Sequence, residues 1–352
     1  MRAWAVVEAE KPLQELELPT PEPQGAQVLV EVTHCGVCHS DVHFWEGYLD
    51  LGGPEKTPIS AMGLKPPLTL GHEIFGTVAA LGPDAAGKGV KVGDKRIVFP
   101  WVGCGECELC LNEEDNMCPK GAAIGVRASG GFGSHVVVPH PRHLIDPGDL
   151  APGVAATYAC SGLTVYSAIQ KVMPQPADAP IVVIGAGGLG LSAIEMLKAL
   201  GHRNIISVDV AEEKRQAALK AGATKVVDGS GEGVADRIKE AAGGPVPAII
   251  DVVNSTATAA NDIAALGRGG KVVLVGMFGG RLNMPLMTIT SQALTIRGNF
   301  VGNPKEMREV VALARAGKLK PIPVQLRPKS EATRTLQELR DGKITGRVVL
   351  EG

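Results

Sequence analysis

The tightest constraint on this chain lies at residues 181–190. Ile181, Val182, Val183 and Ile184 run straight into Gly185, Ala186, Gly187, Gly188, Leu189 and Gly190. An apolar run with no polar face reads as a strand buried on both sides, and the segment after it has helical character to residue 200. The glycines stand at a G-x-G-x-x-G spacing. Gly185 permits a tight turn, Gly187 lets a pyrophosphate approach the backbone, and Gly190 lets helix and strand pack closely. The helix N-terminus then faces the phosphates. Asp209 ends the next apolar run nineteen residues after Gly190. A carboxylate there accepts hydrogen bonds from a ribose diol and repels a 2′-phosphate, which favours NAD over NADP. Arg215 argues the other way and is outweighed by Asp209.

The same alternation continues downstream. Apolar runs at residues 205–210, 225–228, 249–253 and 271–275 are separated by helical stretches, the clearest at 212–221. Strands alternating with helices make a parallel sheet covered on both faces. Residues 1–150 differ. Strands at 3–7, 28–32, 74–81 and 95–98 lie among turns, and residues 47–67 form a long Gly- and Pro-rich loop. A helix at 305–316 and a strand at 347–350 end the chain. With about 100–200 residues per domain, 352 residues make two domains.

Cys104, Cys107, Cys110 and Cys118 crowd into fifteen residues. Four thiolates complete a tetrahedral site with no open position, which is a structural zinc site. A nucleic-acid-binding zinc ribbon is disfavoured by Glu106, Glu108, Glu113, Glu114 and Asp115, which repel phosphates. A second constellation is Cys35, Cys38, His39, Ser40, Asp41 and His43, with His72 and Glu73 further on and Cys160 alone. Two thiolates and an imidazole form a three-ligand zinc site whose fourth position stays open for catalysis. Spacing alone does not choose the ligands. His72 reads equally as a core histidine, Cys160 as a small buried hydrophobe, and Cys35 with Cys38 as a redox pair.

Composition excludes other classes. Thirty-five Lys and Arg against 37 Asp and Glu give a net charge of −2, with no drive toward nucleic acid or anionic membrane. The apolar stretch 181–200 has a spanning length, but Glu195, Lys198 and its glycines make it strand, turn and helix, so no membrane span is expected. No signal segment is read at the N-terminus, where Glu8 and Glu10 follow at once. Seven cysteines, an odd count with four clustered, suit a reducing cytoplasm.

These motifs together resemble the zinc-dependent medium-chain alcohol dehydrogenases over essentially the whole length. The resemblance rests on residues 38–43, on Gly71, His72 and Glu73, on the four-cysteine lobe, on residues 160–166, on the glycine turn with Asp209, and on Gly346 with Arg347. It implies an α/β fold: a GroES-like, strand-rich catalytic domain from residues 1–155 and 297–352, with a structural zinc lobe at about 102–120. A Rossmann doubly wound parallel sheet at 156–296 is inserted between its parts.

The resemblance also implies roles. Cys38, His72 and Cys160 match the catalytic zinc ligands, and Glu73 matches a glutamate beside the metal that ligates it transiently. Cys104, Cys107, Cys110 and Cys118 match the structural zinc ligands, giving two zinc ions per chain. Asp41 matches a carboxylate that orients the ligand histidine. Ser40 and His43 match a proton relay. His39 and Arg347 match contacts to the cofactor phosphates, Thr164 a residue near the nicotinamide, and Lys214 one near the adenosine ribose. Gly185, Gly187, Gly188, Leu189, Gly190, Asp209 and Val275 complete the NAD-binding set. Cys35 matches no ligand.

The implied activity is reversible hydride transfer between a small-molecule alcohol and NAD in a homotetramer, or a dimer. Cys160 stands where polyol dehydrogenases carry a glutamate, which favours an alcohol-type site. Competing readings are a glutathione-adduct dehydrogenase and a non-catalytic NAD-binding redox sensor. Phe44, Trp45 and Trp101 read as pocket lining or as ordinary packing. Residues 47–67 read as a pocket cap or a subunit contact.

Overall fold

The computed structural model describes residues 1–352. Six parallel strands form the inserted domain, in the spatial order Lys225–Asp228, Ile205–Asp209, Ile181–Ile184, Val246–Asp251, Leu266–Leu274 and Thr295–Gly298. This is a doubly wound order, which reverses between Ile181–Ile184 and Val246–Asp251. A crevice opens there beyond the carboxyl ends of the strands. Successive residues of Ile181–Ile184 bury on opposite faces. Ile181 and Val183 join the core that holds Leu191, Ile194 and Ile169, while Val182 and Ile184 join Ile238 and Ala265. Each such side chain stabilises the fold by about 1.5–3 kcal/mol relative to exposure.

The first domain is built on a seven-stranded sheet. Its main order is Leu144–Ile145, Lys95–Val98, Glu73–Leu81, Val28–Gly36, Arg347–Glu351 and Val324–Pro328, and His135–Val138 pairs on Val28–Gly36. The last strand of the chain therefore lies beside one of the first, with Leu350 opposite Cys35. The parallel-sheet domain is inserted between these two contributions.

That register positions the site. Gly36 lies opposite Glu73 on one side and Val349 on the other. Cys38, His72 with Glu73, and Arg347 thus emerge at one end of three adjacent strands. A Cβ on Gly36 would run into the Glu73 carboxylate, so the close approach requires glycine.

Two expectations need correction. The boundary expected between residues 296 and 297 cuts a strand: Ile296 and Arg297 pair with Val272 and Val273, and the sheet ends at Gly298. Residues 47–67 are more ordered than a plain loop. Tyr48–Leu49 pairs with Thr57–Pro58, and a 3-10 turn follows at Ile59–Met62. Arg281 Nε of the second domain donates to Gly52 O, so this segment reaches across the cleft.

Candidate active site

Three donors converge where the domains meet. The ligand atoms of Cys38, His72 and Cys160 all lie within 4.8 Å of one another, and all three residues are buried. The two sulfurs are 4.0 Å apart. Cys38 caps the helix His39–Glu46, and Cys160 sits in a π-helical turn, Tyr158–Gly162. Such turns re-aim a side chain out of the α-helical register. Gly71, at φ +92°, leads into His72, and a Cβ on it would strike Cys35 Sγ and the Phe132 ring.

Asp41 ties the set together. Its Oδ2 accepts from Cys38 N at 2.8 Å and its Oδ1 from Gly71 N at 3.2 Å. Its Oδ1 also lies 3.5 Å from His72 Nδ1, and both nitrogens of that buried imidazole lack a hydrogen-bond partner. An orphaned imidazole nitrogen facing two thiols is the donor set of a soft divalent metal, and zinc fits it. The Cys160 thiol holds Cys38 well below the ordinary thiol range, against burial and with help from His72. The same contact, with burial, pushes Cys160 up. Burial pulls His72 down, but Asp41 and Cys38 push it well above its ordinary value.

Glu73 stands beside this donor set and outside it. Its Oε1 accepts from Ser161 N at 3.1 Å and pairs with Arg347. Burial raises its carboxyl and Arg347 opposes that shift. Arg347 is buried as well and is turned toward Glu73. Its aliphatic stem packs at Gly188, where a Cβ would collide with it. The pair links the glycine turn to the strand end that carries His72.

One cavity of about 2000 Å³ connects the metal donors to the crevice of the parallel sheet. Cys38, His39, Ser40, His43, Cys160, Thr164, the glycine turn, Asp209, Lys214, Val275 and Arg347 all line it. His72, Asp41 and Glu73 lie behind its wall. Gly185 has φ +95°, Gly187 has nothing within 4 Å of where a side chain would stand, and a Cβ on Gly190 would collide with Gly185 O. Asp209 accepts from Ala186 N at 2.8 Å and Ala211 N at 3.0 Å. Arg215 is occupied by Asp209 O, Val210 O, Glu212 and Asp228, so it is not free for a 2′-phosphate. This open cradle, with the Asp209 carboxylate lining it, fits NAD.

The helix after Cys38 carries the polar residues. Ser40 and His43 are one turn apart and so share a face. His43 Nε2 is buried without a partner, and burial lowers the imidazole. His39 stacks on Phe278 at 4.8 Å and lies 5.3 Å from His43. Burial, then His43, bring His39 down to about 4. Phe44 and Trp101 line the cavity. Trp45 does not: it is fully buried, and its Nε1 donates to Lys11 O at 2.7 Å.

The four-cysteine lobe gathers as a second donor set within 4.8 Å. Its sulfur pairs at 3.5, 3.8 and 4.0 Å are far too long for disulfides. Backbone donors at Glu106 and Cys107 bring Cys104 down to about 6, and burial pushes Cys110 up to about 12. Buried Asp115, bonded to Arg142 and His143, anchors the lobe to the body.

Sequence reasoning missed several residues at the cavity. Phe278, Asn299, Phe300 and Val301 line it, and none falls in a spaced motif. The buried acid pair Asp251 and Asp262 was missed too, although Asp251 ends its strand as Asp209 does.

Comparison with known proteins gives consistent matches. Residues 24–147 match the alcohol dehydrogenase GroES-like domain, and residues 188–316 match the zinc-binding dehydrogenase family. The chain is 36% identical over 351 residues to a NAD-dependent alcohol dehydrogenase of Sulfurisphaera tokodaii, covering 99% of each. It is 37% identical over 353 residues to a NAD-dependent alcohol dehydrogenase of Saccharolobus solfataricus, again 99% of each. Among solved structures it is similar to the alcohol dehydrogenase of Aeropyrum pernix, at 31% identity, full coverage of both chains (100%) and a TM-score of 0.91.

Proposed function

This chain belongs to the zinc-dependent medium-chain alcohol dehydrogenases, and on that premise we propose that it transfers a hydride reversibly between an alcohol and NAD. The products are an aldehyde or ketone and NADH. The observation that carries the reading is the meeting, at one cavity, of the Cys38, His72 and Cys160 donors with the glycine turn and Asp209. Zinc held by those donors supplies Lewis acidity toward the substrate oxygen, and NAD supplies the hydride acceptor.

The chain's own residues do the rest. Ser40 takes the hydroxyl proton, and His43, one helical turn on and kept neutral by burial, carries it toward solvent. Asp41 orients His72 and fixes the Cys38 backbone. The Glu73–Arg347 pair holds the metal side and the phosphate side of the cleft in register. Buried Trp101 bounds the substrate end, and Phe300 lines it beside Trp101.

The remaining assignments belong to the same proposal. The lobe thiolates Cys104, Cys107, Cys110 and Cys118 hold a second, structural zinc. The cofactor domain runs from residue 156 to 298, and the catalytic domain takes the remainder. The assembly is a homotetramer. Support comes from the free edge of Thr295–Gly298 and from the exposed apolar side chains Leu286, Met287 and Phe300 nearby. The compartment is the cytoplasm, which seven unpaired thiols favour. No helix is long and apolar enough to cross a membrane.

The test is NADH formation by the purified protein across short primary, secondary, cyclic and benzylic alcohols, with NADP⁺ run alongside. NAD-linked turnover supports the reading. Silence with every alcohol would overturn it.

A further inference from the structure

The turn that follows the last strand of the parallel sheet has a feature that hydride transfer leaves unused. Val301 sits at φ +45°, a region that β-branched residues avoid. It is nonetheless buried and lines the cavity. Such a conformation persists only where the surroundings over-determine it.

Two side-chain amides do this from opposite sides. Asn299 Nδ2 donates to the carbonyls of Thr164 and Val301, each at 3.1 Å, and its Oδ1 accepts from Lys171 Nζ. Asn116 reaches in from the four-cysteine lobe, and its Nδ2 donates to Phe300 O at 2.9 Å. Of two consecutive carbonyls, Phe300 O is therefore held by the lobe and Val301 O by Asn299 of the turn itself. The lobe is pinned to the same segment by Asn303 on Glu114 at 3.3 Å and Arg308 on Glu113 at 2.6 Å. The clamped turn carries the Phe300 ring, which meets Trp101 edge-on at 5.9 Å, and Trp101 lies 5.2 Å from the His72 ring. A chain of contacts thus runs from the lobe to a metal donor along the wall of the cavity.

We propose that Asn116 and Asn299 are positioning residues that clamp the Phe300–Val301 turn and so set the width of the substrate end of the cavity. The four-cysteine lobe thereby governs steric selectivity among alcohols as well as stability. The selectivity part rests on the alcohol dehydrogenase reading above. The clamp itself does not.

The test compares the zinc-loaded protein with Asn116→Leu, which removes the donor without adding charge, and with Asn116→Asp, which keeps the shape, removes the donor and adds a negative charge facing Phe300 O. Hydrogen–deuterium exchange needs no turnover. Exchange across residues 299–308 rises about tenfold in both variants, with the Ile205–Asp209 strand unchanged. In kinetics, kcat/KM shifts toward 1-phenylethanol over 2-propanol by about fivefold or more, through KM. KM for NAD⁺ and zinc content stay at the parent values. Unchanged exchange at 299–308 overturns the clamp. Equal losses on both alcohols, or a parallel change in KM for NAD⁺, overturn the selectivity role in favour of a purely structural one. If the parent protein turns over neither alcohol, the functional reading falls, and the exchange result still decides the clamp.

Discussion

Replacing Asp262 with Asn probes a charge buried deep beside the cofactor crevice. Asp251 ends the fourth strand in sheet order, and its Oδ1 accepts from Val253 N at 2.8 Å and Asn254 N at 2.7 Å. Asp251 Oδ2 and both Asp262 oxygens have no donor from the rest of the chain. Two carboxylates cannot both stay charged there. A proton on Asp262 donates to Asp251 and relieves the conflict. Burial, and then the Asp251 charge, accordingly hold the Asp262 carboxyl well above its ordinary value of 3.8.

The sign of the pH effect follows from linkage. Below the ordinary value both folded and unfolded states hold the proton, and the group contributes no difference. Above it the unfolded chain releases the proton while the folded chain keeps it. Stability then falls by about 1.4 kcal/mol per pH unit until the folded-state value is passed. Asp262→Asn keeps a donor for Asp251 and removes this slope. The variant therefore melts close to the parent near pH 4 and progressively higher than it toward neutrality, by a few degrees per pH unit. Thermal unfolding of both proteins in matched buffers from pH 4 to 9 reads the difference. A difference that does not change with pH, or a variant that is less stable than the parent at pH 8, would refute the shared proton.

Three further outcomes are expected. Cys38→Ala or His72→Ala lowers kcat by about three orders of magnitude while NAD binding, read by calorimetry, is retained. Cys107→Ser leaves one zinc per chain by metal analysis and lowers Tm, because a structural site contributes to folding directly. Asp209→Asn weakens NAD⁺ binding about 10–100-fold, the worth of charge-assisted hydrogen bonds at a ribose, and narrows the preference over NADP⁺.

The sequence was most legible where local rules act alone. The run Ile181–Ile184, its glycine turn and the helix Glu212–Ala221 follow from periodicity and glycine geometry, and the structure has them at those residues. Cys104 to Cys118 was readable because its ligands lie close along the chain. The other donor set was not readable from spacing, since Cys38, His72 and Cys160 are joined only by strand register and a π-turn. The pairing of Glu73 with Arg347 was not readable either, because Arg347 lies far along the chain, on the adjacent C-terminal strand. Asn116, Asn299 and Val301 were invisible for a related reason. Their roles come from backbone carbonyls and a strained φ that no residue pattern encodes.

The central claim is that a metal held by Cys38, His72 and Cys160 activates an alcohol for hydride transfer to NAD. Its most direct test is to strip the metal with a chelator, return zinc in measured steps, and record NADH formation against zinc bound per chain. The account predicts no turnover in the stripped protein, and activity that returns in proportion to filling of the Cys38 site and is absent in Cys38→Ala. Full activity in the stripped protein, or equal recovery in Cys38→Ala, would contradict it.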